Sequence, residues 1–304
     1  MSFEVTILGN SSASPTHSRH PSSQYVNICD HHLLIDCGEG TQMQLARYKI
    51  KKSKISQIFI SHVHGDHILG LPGLLLSMNL MKREQPIHIF GPPELFKILD
   101  VFFKYSDTQF CFETHYHIVD PNKRSVVFEN LFYKVIAFPL FHRVPTTGFL
   151  IEERSKLKKL NMEVCERLKI PFTFYNDIKM GKDYCTPEGK WIKNEELTFP
   201  AALPISYAYC SDTLFDERVI DAVRDADILY HEATFMHDRL DRAVYTMHTT
   251  AKQAGIVARQ AGAKKLIVGH FSARYDDLEP ILLEARSEFP NTEIAQEGKT
   301  FILE

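Results

Sequence analysis

A cluster of metal-binding residue types at positions 62–67 constrains this chain more than any other segment. It contains three histidines and one aspartate, and it directly follows the apolar run Ile55–Ile60. Such a run is typical of a buried β-strand, so the cluster is predicted to lie on the loop that leaves a strand. His62 and His64 are alternate residues, which point to the same side of an extended backbone. The two imidazoles can therefore converge on one cation.

The rest of the same cluster is predicted to face a second cation. The glycine at position 65 permits a sharp bend, after which Asp66 and His67 can turn toward a neighbouring site. Imidazole and carboxylate donors without a thiolate suit zinc or manganese. The alternative for this stretch is a solvated histidine-rich turn.

Short apolar segments that end in polar loops recur along the chain. Segments typical of strands are Phe3–Leu8, Leu33–Ile35, Ile55–Ile60, Ile87–Phe90, Ile205–Cys210, Ile228–Tyr230 and Leu266–Val268. Helices are predicted between them, the first capped by Thr41, and a later one capped by Thr249 or Thr250 and ended by Gly262. Strands that alternate with helices predict an α/β fold whose sheets are covered by helices on their outer faces.

Further polar residues occupy the same position, just past the end of an apolar strand. They are Asp36, His142, Asp212 and His270. In sheets covered by helices, sites form where strands end and loops begin. We therefore expect two cation sites, one bound by His62, His64 and His142, the other by Asp66, His67 and His270, with Asp212 as the bridge.

Two such cations about 3.5–4 Å apart lower the pKa of a shared water and stabilise the charge of an in-line phosphoryl displacement. Asp36 is expected to lie behind the ligands and to accept a hydrogen bond from a ligating imidazole.

Composition limits where the protein acts and what attracts its substrate. The formal net charge of −3 provides no global positive field, so an anionic substrate must be held by local patches or by metals. Six cysteines without Cys-x-x-Cys spacing predict a reducing compartment, the cytoplasm. No apolar run reaches about 18 residues, so no membrane span is expected. The first residues lack the features of a signal peptide.

The segment 152–200 differs from the rest of the chain. It holds 10 of the 35 lysines and arginines in 49 positions, together with nine acids. We interpret it as an inserted arm that projects from a core formed by residues 1–151 and 201–304. The alternative is a peripheral decoration of the fold.

The His-x-His-x-Asp-His cluster, with the later histidines and aspartate, resembles the metallo-β-lactamase fold. Hydrolases that act on lactams, thioesters and phosphodiesters share that pattern, so it does not choose a substrate. Narrower motifs resemble ribonuclease Z, the tRNA 3′-processing endonuclease family, in its short form. These motifs are Asp36–Gln42, His231–Phe235, His248–Thr250 and His270–Tyr275.

The resemblance implies a four-layer αββα sandwich with two zinc ions per chain, manganese also being possible. It further implies a homodimer that acts on precursor tRNA, and an arm at 152–200 that clasps the tRNA. Lys179 and Lys182 belong to the stretch that resembles this arm. Phe172–Phe174 stands where the family usually has Gly-Pro.

Roles in removal of a 3′ trailer follow as expectations. Asp66 orients the attacking water and accepts its proton. His248 donates a proton to the leaving 3′-oxygen, and Glu232 holds its imidazole. Ser272 and Arg274 bind phosphate oxygens. Hydrolysis by water leaves a 3′-hydroxyl on the tRNA and a 5′-phosphate on the trailer.

Two other functions remain open from the sequence. One is a phosphodiesterase of the same fold that acts on small cyclic or nucleotide esters, because it would share every metal ligand. The other is an RNA-binding subunit with an inactive site, which the complete ligand set argues against.

Overall fold

The computed structural model of the chain describes residues 2–154, 157–201 and 203–303. The chain forms two compact units, a core unit (Met1–Glu152 and Ile205–Glu304) and an insert unit (Glu153–Pro204). Ser155 and Lys156, which belong to the arm predicted from the sequence, lie outside the described residues.

The described residues form both strands and helices. The strands are β1 (Phe3–Gly9), β2 (Ser23–Ile28), β3 (His31–Ile35), β4 (Ile55–Phe59), β5 (Ile87–Gly91), β6 (Thr114–Ile118), β7 (Ser125–Glu129), β8 (Tyr133–Leu140), β9 (Thr146–Glu153), β10 (Lys159–Leu160), β11 (Tyr184–Cys185), β12 (Trp191–Ile192), β13 (Thr198–Phe199), β14 (Ser206–Cys210), β15 (Ile228–Glu232), β16 (Lys265–Gly269), β17 (Thr292–Ile294) and β18 (Thr300–Leu303). The helices are α1 (Thr41–Arg47), α2 (Gly65–Ile68), α3 (Gly70–Leu80), α4 (Pro93–Tyr105), α5 (Met162–Arg167), α6 (Tyr175–Lys179), α7 (Asn194–Leu197), α8 (Glu217–Ala222), α9 (Leu240–Thr246), α10 (Ala251–Ala261) and α11 (Glu279–Glu288).

The core unit contains two seven-stranded sheets. Their orders are β18-β1-β2-β3-β4-β5-β6 and β17-β16-β15-β14-β9-β8-β7. Each sheet has a parallel run of four strands, β3 to β6 in the first and β14 to β17 in the second. Parallel strands place their carboxyl ends at one edge, so the loops that leave these strands collect there.

Four layers result from the burial of both faces of each sheet. Between the sheets lies a core that includes Phe59 and Phe149, whose ring centroids are 5.4 Å apart. The outer face of the first sheet packs on α1, α3 and α4, and that of the second on α8, α10 and α11. Burying each large apolar side chain contributes about 1.5–3 kcal/mol. The predicted αββα sandwich is therefore confirmed.

The caps of two helices show where the sequence pattern was right and where it was wrong. Thr250 caps α10 as predicted, since its hydroxyl accepts the amide of Gln253, and Gly262 ends that helix with a left-handed φ of 68°. The prediction that Thr41 caps α1 is wrong. Gly40 holds the cap position with φ 82°, and the Thr41 hydroxyl donates to the carbonyl of Gly38 at 2.7 Å. Only glycine adopts that left-handed conformation without strain.

The insert unit has its own small apolar core. Its buried side chains are Cys165, Ile170, Ile178, Tyr184, Ile192 and Leu197. Two-stranded sheets, β10 with β13 and β11 with β12, enclose it together with α5, α6 and α7. Among the described residues, no helix has both the length and the apolar character needed to span a bilayer.

Candidate metal centre

The strand ends carry polar side chains to one place. The loop after β4 holds His62, and the short helix α2 that follows it holds His67. The loops after β8, β14 and β16 hold His142, Asp212 and His270. The structure brings all seven ligands expected from the sequence into two adjacent groups that share Asp212.

The first group consists of His62, His64, His142 and Asp212. The Nδ1 atom of His64 lies 3.1 Å from Nε2 of His62 and 3.2 Å from Nε2 of His142. The Oδ2 atom of Asp212 lies 3.6 Å and 3.7 Å from the same two Nε2 atoms. Donors bound to one tetrahedral cation at about 2.0–2.1 Å are about 3.3 Å apart, so this spacing fits a shared ion.

The second group consists of Asp66, His67, His270 and the other oxygen of Asp212. The Oδ1 atom of Asp212 lies 3.3 Å from Nε2 of His67 and 3.1 Å from Nε2 of His270. The Oδ2 atom of Asp66 lies 3.5 Å and 3.4 Å from these two nitrogens. Asp212 thus offers one oxygen to each group, which is the geometry of a bridging carboxylate.

One buried atom in the second group indicates that a cation belongs there. Nε2 of His67 is buried and has no hydrogen-bond partner within the described part of the chain. A buried polar atom without a partner is costly, and a metal ion would satisfy it.

The Nδ1 atoms of His62, His142 and His270 are anchored from behind, as is usual for metal-binding histidines. Nδ1 of His62 donates to Ser61 Oγ at 3.0 Å, and Nδ1 of His142 donates to the carbonyl of Met247 at 2.8 Å. Nδ1 of His270 donates to Thr234 Oγ1 at 2.9 Å. Each contact fixes the ring and leaves its Nε2 atom free to face the ion.

Asp36 anchors the fourth ring. Its Oδ2 atom accepts Nδ1–H of His67 at 2.8 Å, the hydroxyl of Tyr209 at 2.7 Å and that of Ser61 at 2.9 Å. Its Oδ1 atom accepts the Ser61 amide at 2.7 Å. Asp36 takes a left-handed backbone, with φ 55°. The sequence did not predict that Tyr209 and Ser61 donate hydrogen bonds to Asp36. The one signal for Ser61 was its place directly before the His62–His67 cluster.

Burial and neighbouring charges set the ionisation of the group. Burial lowers the pKa of His62 and of His142, so both are neutral imidazoles, the form that binds metal. Burial opposes ionisation of Asp66, but the charge of His67 and hydrogen bonds from His270 and His67 outweigh it and lower the pKa of Asp66. The carboxylate is therefore available as an anionic ligand.

Glu232 and His248 form a pair at the edge of the second group. Glu232 Oε1 accepts Nδ1–H of His248 at 2.8 Å and the amide of Thr213 at 3.0 Å. Its Oε2 accepts the Thr234 hydroxyl at 2.6 Å. Burial alone would lower the pKa of His248, but the Glu232 carboxylate outweighs it and raises that pKa to about 9. His248 is therefore protonated at neutral pH.

Proteins similar to this chain match it along nearly its whole length. A ribonuclease Z from Porphyromonas gingivalis is 42% identical over 299 residues, 97% of each chain. Another, from Cytophaga hutchinsonii, is 45% identical over 307 residues, 99% of this chain and 96% of the relative. The chain belongs to the ribonuclease Z family.

Comparisons with solved structures support the fold, and a family model matches part of the chain. The crystal structure of human tRNase Z, short form, matches with a TM-score of 0.72 at 26% identity over 98% of both chains. The metallo-beta-lactamase fold protein YhfI from Bacillus subtilis matches with a TM-score of 0.70 at 17% identity over 100% of both chains. Residues 3–157 match the family described as Anti-Pycsar protein Apyc1. The chain is thus a metal-dependent nuclease of the metallo-β-lactamase fold with a divalent-metal site.

The structure separates the expected substrate-binding residues into two sets. Ser272 and Arg274 follow His270 directly, and Nε of Arg274 donates to Ser272 Oγ at 3.0 Å. Lys179 and Lys182 belong to the insert unit, where Nζ of Lys182 pairs with Asp177 at 2.9 Å.

Proposed function

We propose that this chain is a zinc-dependent endoribonuclease that removes the 3′ trailer from precursor tRNA. The observation that carries the proposal is the pair of donor groups joined by Asp212, in a chain 42% identical along 97% of its length to a ribonuclease Z. The products would be a tRNA with a 3′-hydroxyl and a trailer with a 5′-phosphate.

Two zinc ions per chain fit the donors, with manganese as the alternative. His62, His64 and His142 would hold one ion, and Asp66, His67 and His270 the other, with Asp212 shared. When bound, such a pair lowers the pKa of water and stabilises the charge that develops on the phosphoryl group.

Asp66 would orient the attacking water and accept its proton. The amide of Ala13 donates to its Oδ2 atom at 2.6 Å, which fixes the carboxylate from the side of the first loop. Its lowered pKa keeps it ionised at neutral pH, so it can bind a metal ion and accept a hydrogen bond from the water.

His248 would donate a proton to the leaving 3′-oxygen. The Glu232 carboxylate both orients the ring through Nδ1 and stabilises its charged form. Glu232 is itself held by backbone amides and the Thr234 hydroxyl, so the pair is rigid. Such a positioned donor contributes about 10²–10⁴-fold to rate.

Substrate binding is divided between the two units. Ser272 and Arg274, next to His270, would bind phosphate oxygens near the scissile bond. Residues 152–200 would form the tRNA-binding arm on a catalytic core of 1–151 and 201–304, with Lys179 and Lys182 contacting the RNA backbone. A-form RNA is recognised by shape and backbone charge, which lysines can supply.

The chain would act as a cytoplasmic homodimer. Met43 on α1, Leu69 between α2 and α3, and Leu80 at the end of α3 are exposed apolar side chains that would suit an interface. The six cysteines are free thiols, which is typical of a reducing compartment.

The deciding experiment uses a precursor tRNA with a 3′ trailer, incubated with zinc-loaded protein. We expect one cut, and end-group mapping should find a 3′-hydroxyl on the tRNA and a 5′-phosphate on the trailer. The Asp66→Ala variant, once circular dichroism has shown that it is folded, should not cleave the precursor tRNA. Wild-type turnover in that variant would remove Asp66 from the chemistry.

The same assay tests the second candidate, a phosphodiesterase of small esters. Both candidate substrates are phosphodiesters, so the same two metal groups would serve either reaction. Cleavage of a chromogenic diester or cyclic nucleotide, with intact precursor tRNA, would favour this alternative.

A further inference from the structure

An exposed aromatic ring lies between two arginines on the core unit. Tyr245, on α9, is 70% exposed. The guanidinium carbons of Arg143 and Arg242 lie 5.4 Å and 5.5 Å from the centroid of its ring. The ring therefore sits in a cationic surrounding at the protein surface.

Hydrogen bonds tie the backbone that carries this ring to residues of the metal centre. Nη2 of Arg143 donates to the carbonyl of Tyr245 at 2.9 Å, and the adjacent ligand His142 donates to the carbonyl of Met247 at 2.8 Å. The amide of His248 donates to the carbonyl of Ala243 at 2.8 Å. The end of α9 is thus tied both to the loop that carries His142 and to His248.

The arginines beside Tyr245 are available for a ligand. Within the described ranges no carboxylate forms an ion pair with Arg143 or Arg242, whereas the neighbouring Arg239 approaches Asp238 at 4.0 Å. An exposed aromatic face with unpaired cations suits an unpaired nucleotide, whose base stacks on the ring while its phosphates meet the guanidinium groups.

The position of His248 indicates which nucleotide this is. In the proposed function, on which this inference rests, His248 protonates the 3′-oxygen of the last nucleotide of the mature tRNA. Tyr245 precedes His248 by three residues and shares its anchoring segment. With His248 in that role, Tyr245 would lie on the side of the leaving group, away from the trailer.

We infer that Tyr245 stacks on the base of the last nucleotide of the mature tRNA, with Arg143 and Arg242 binding the flanking phosphates. Stacking on an unpaired base fixes the 3′-oxygen without reading base identity, which suits an enzyme that processes many tRNAs. Tyr245 would be a positioning residue for the reaction.

The test is a double-mutant cycle between the protein and the RNA. Tyr245→Ala should lower kcat/KM for precursor tRNA by about 5- to 100-fold, the loss expected for one base stack. Tyr245→Phe should restore most of it, because the ring is kept. With an abasic last tRNA nucleotide, Tyr245→Ala should cause little further loss, since the partner of the ring is already absent.

Controls separate stacking from damage to the fold or metal centre. Tyr105, on α4, is 82% exposed with Lys104 5.8 Å from its ring, and it lies on the helical layer of the first sheet. Tyr105→Ala should leave precursor tRNA cleavage unchanged. Tyr245→Ala should keep wild-type zinc content and wild-type hydrolysis of a small chromogenic diester.

Three results would overturn the inference. One is a Tyr245→Ala variant whose kcat/KM falls by the same factor on intact RNA and on RNA with an abasic last tRNA nucleotide. Another is a Tyr245→Ala loss that disappears when the first trailer nucleotide, and not the last tRNA nucleotide, is abasic. That result would place the Tyr245 ring on the other side of the cut. The third is wild-type protein that leaves precursor tRNA intact; the proposed function then fails, and the inference falls with it.

Discussion

At the residue scale, the pair of Glu232 and His248 links a structural contact to a proton transfer. Burial disfavours a charged imidazole, yet the carboxylate 2.8 Å from Nδ1 reverses that preference. A donor must hold its proton until the leaving oxygen needs it, and this pair keeps the proton on His248 through the neutral range.

This coupling predicts the alkaline limit of the reaction. His248 loses its proton as pH rises through about 9, so single-turnover cleavage of precursor tRNA should fall above that pH. Glu232→Gln removes the charge that stabilises protonated His248, so the cleavage rate of this variant should begin to fall at a lower pH. An unchanged alkaline limb in Glu232→Gln, measured with zinc-saturated protein, would show that another group supplies the proton.

A second prediction at this scale concerns Asp36. In Asp36→Asn an amide nitrogen replaces one carboxylate oxygen, yet the donors of Ser61, His67 and Tyr209 all point at this side chain. Losing the anchor of His67 should weaken zinc binding by about 10–100-fold.

Competition with a chelating dye would measure that loss of affinity. Tyr209→Phe removes one donor but keeps the carboxylate, so it serves as the matched control and should bind zinc more tightly than Asp36→Asn. Wild-type zinc affinity in Asp36→Asn would contradict the anchoring role.

At the element scale, the site is built from strand ends, and this explains how much of it the sequence could predict. His62, Asp212 and His270 each follow an apolar run, a local pattern that marks the end of a buried strand. The contacts of Tyr209 with Asp36 depend on which strands face each other across the sandwich. No local pattern encodes that pairing, so these contacts were missed.

The elements beside the insert unit permit a clean test of the proposed arm. Glu152 in β9 pairs antiparallel with Ser206 in β14, so residues 154–204 can be replaced by Asn-Gly, a turn that suits a two-residue hairpin. The hairpin should keep the core sheet intact. Binding of precursor tRNA should weaken far more than hydrolysis of a small diester, as measured by filter binding and a chromogenic assay.

Equal loss of both activities would refute the assignment of the arm. A charge-only variant, Lys179→Gln with Lys182→Gln, serves as its control, because it keeps the fold of the insert unit and removes two of the proposed backbone contacts. It should weaken tRNA binding and reduce its dependence on salt.

At the scale of the whole molecule, the metal centre ties the two sheets together. Asp66 and His67 follow the first sheet, whereas Asp212 and His270 follow the second, and all four meet in one buried group. Ions bound there would connect the two halves of the sandwich, so metal binding should contribute to the stability of the core unit as well as to chemistry.

Chelation should therefore lower the melting temperature. A ligand present at 100 times its Kd stabilises the folded state by about 2.7 kcal/mol, so removing zinc should cost several degrees in Tm, and adding zinc back should restore them. Calorimetry would measure the change in Tm in wild-type protein and in Asp212→Ala. The variant lacks the residue shared by both donor groups, so its Tm should respond far less to zinc. Burial would lower the pKa of His67, but the carboxylates of Asp212 and Asp66 outweigh it and raise that pKa. His67 can bind zinc through Nε2 only as a neutral ring, so zinc must displace a proton from it. The increase in Tm that zinc causes should therefore grow with pH. If neither zinc nor chelator changed the Tm of the wild-type protein, bound ions would not contribute to holding the two sheets together.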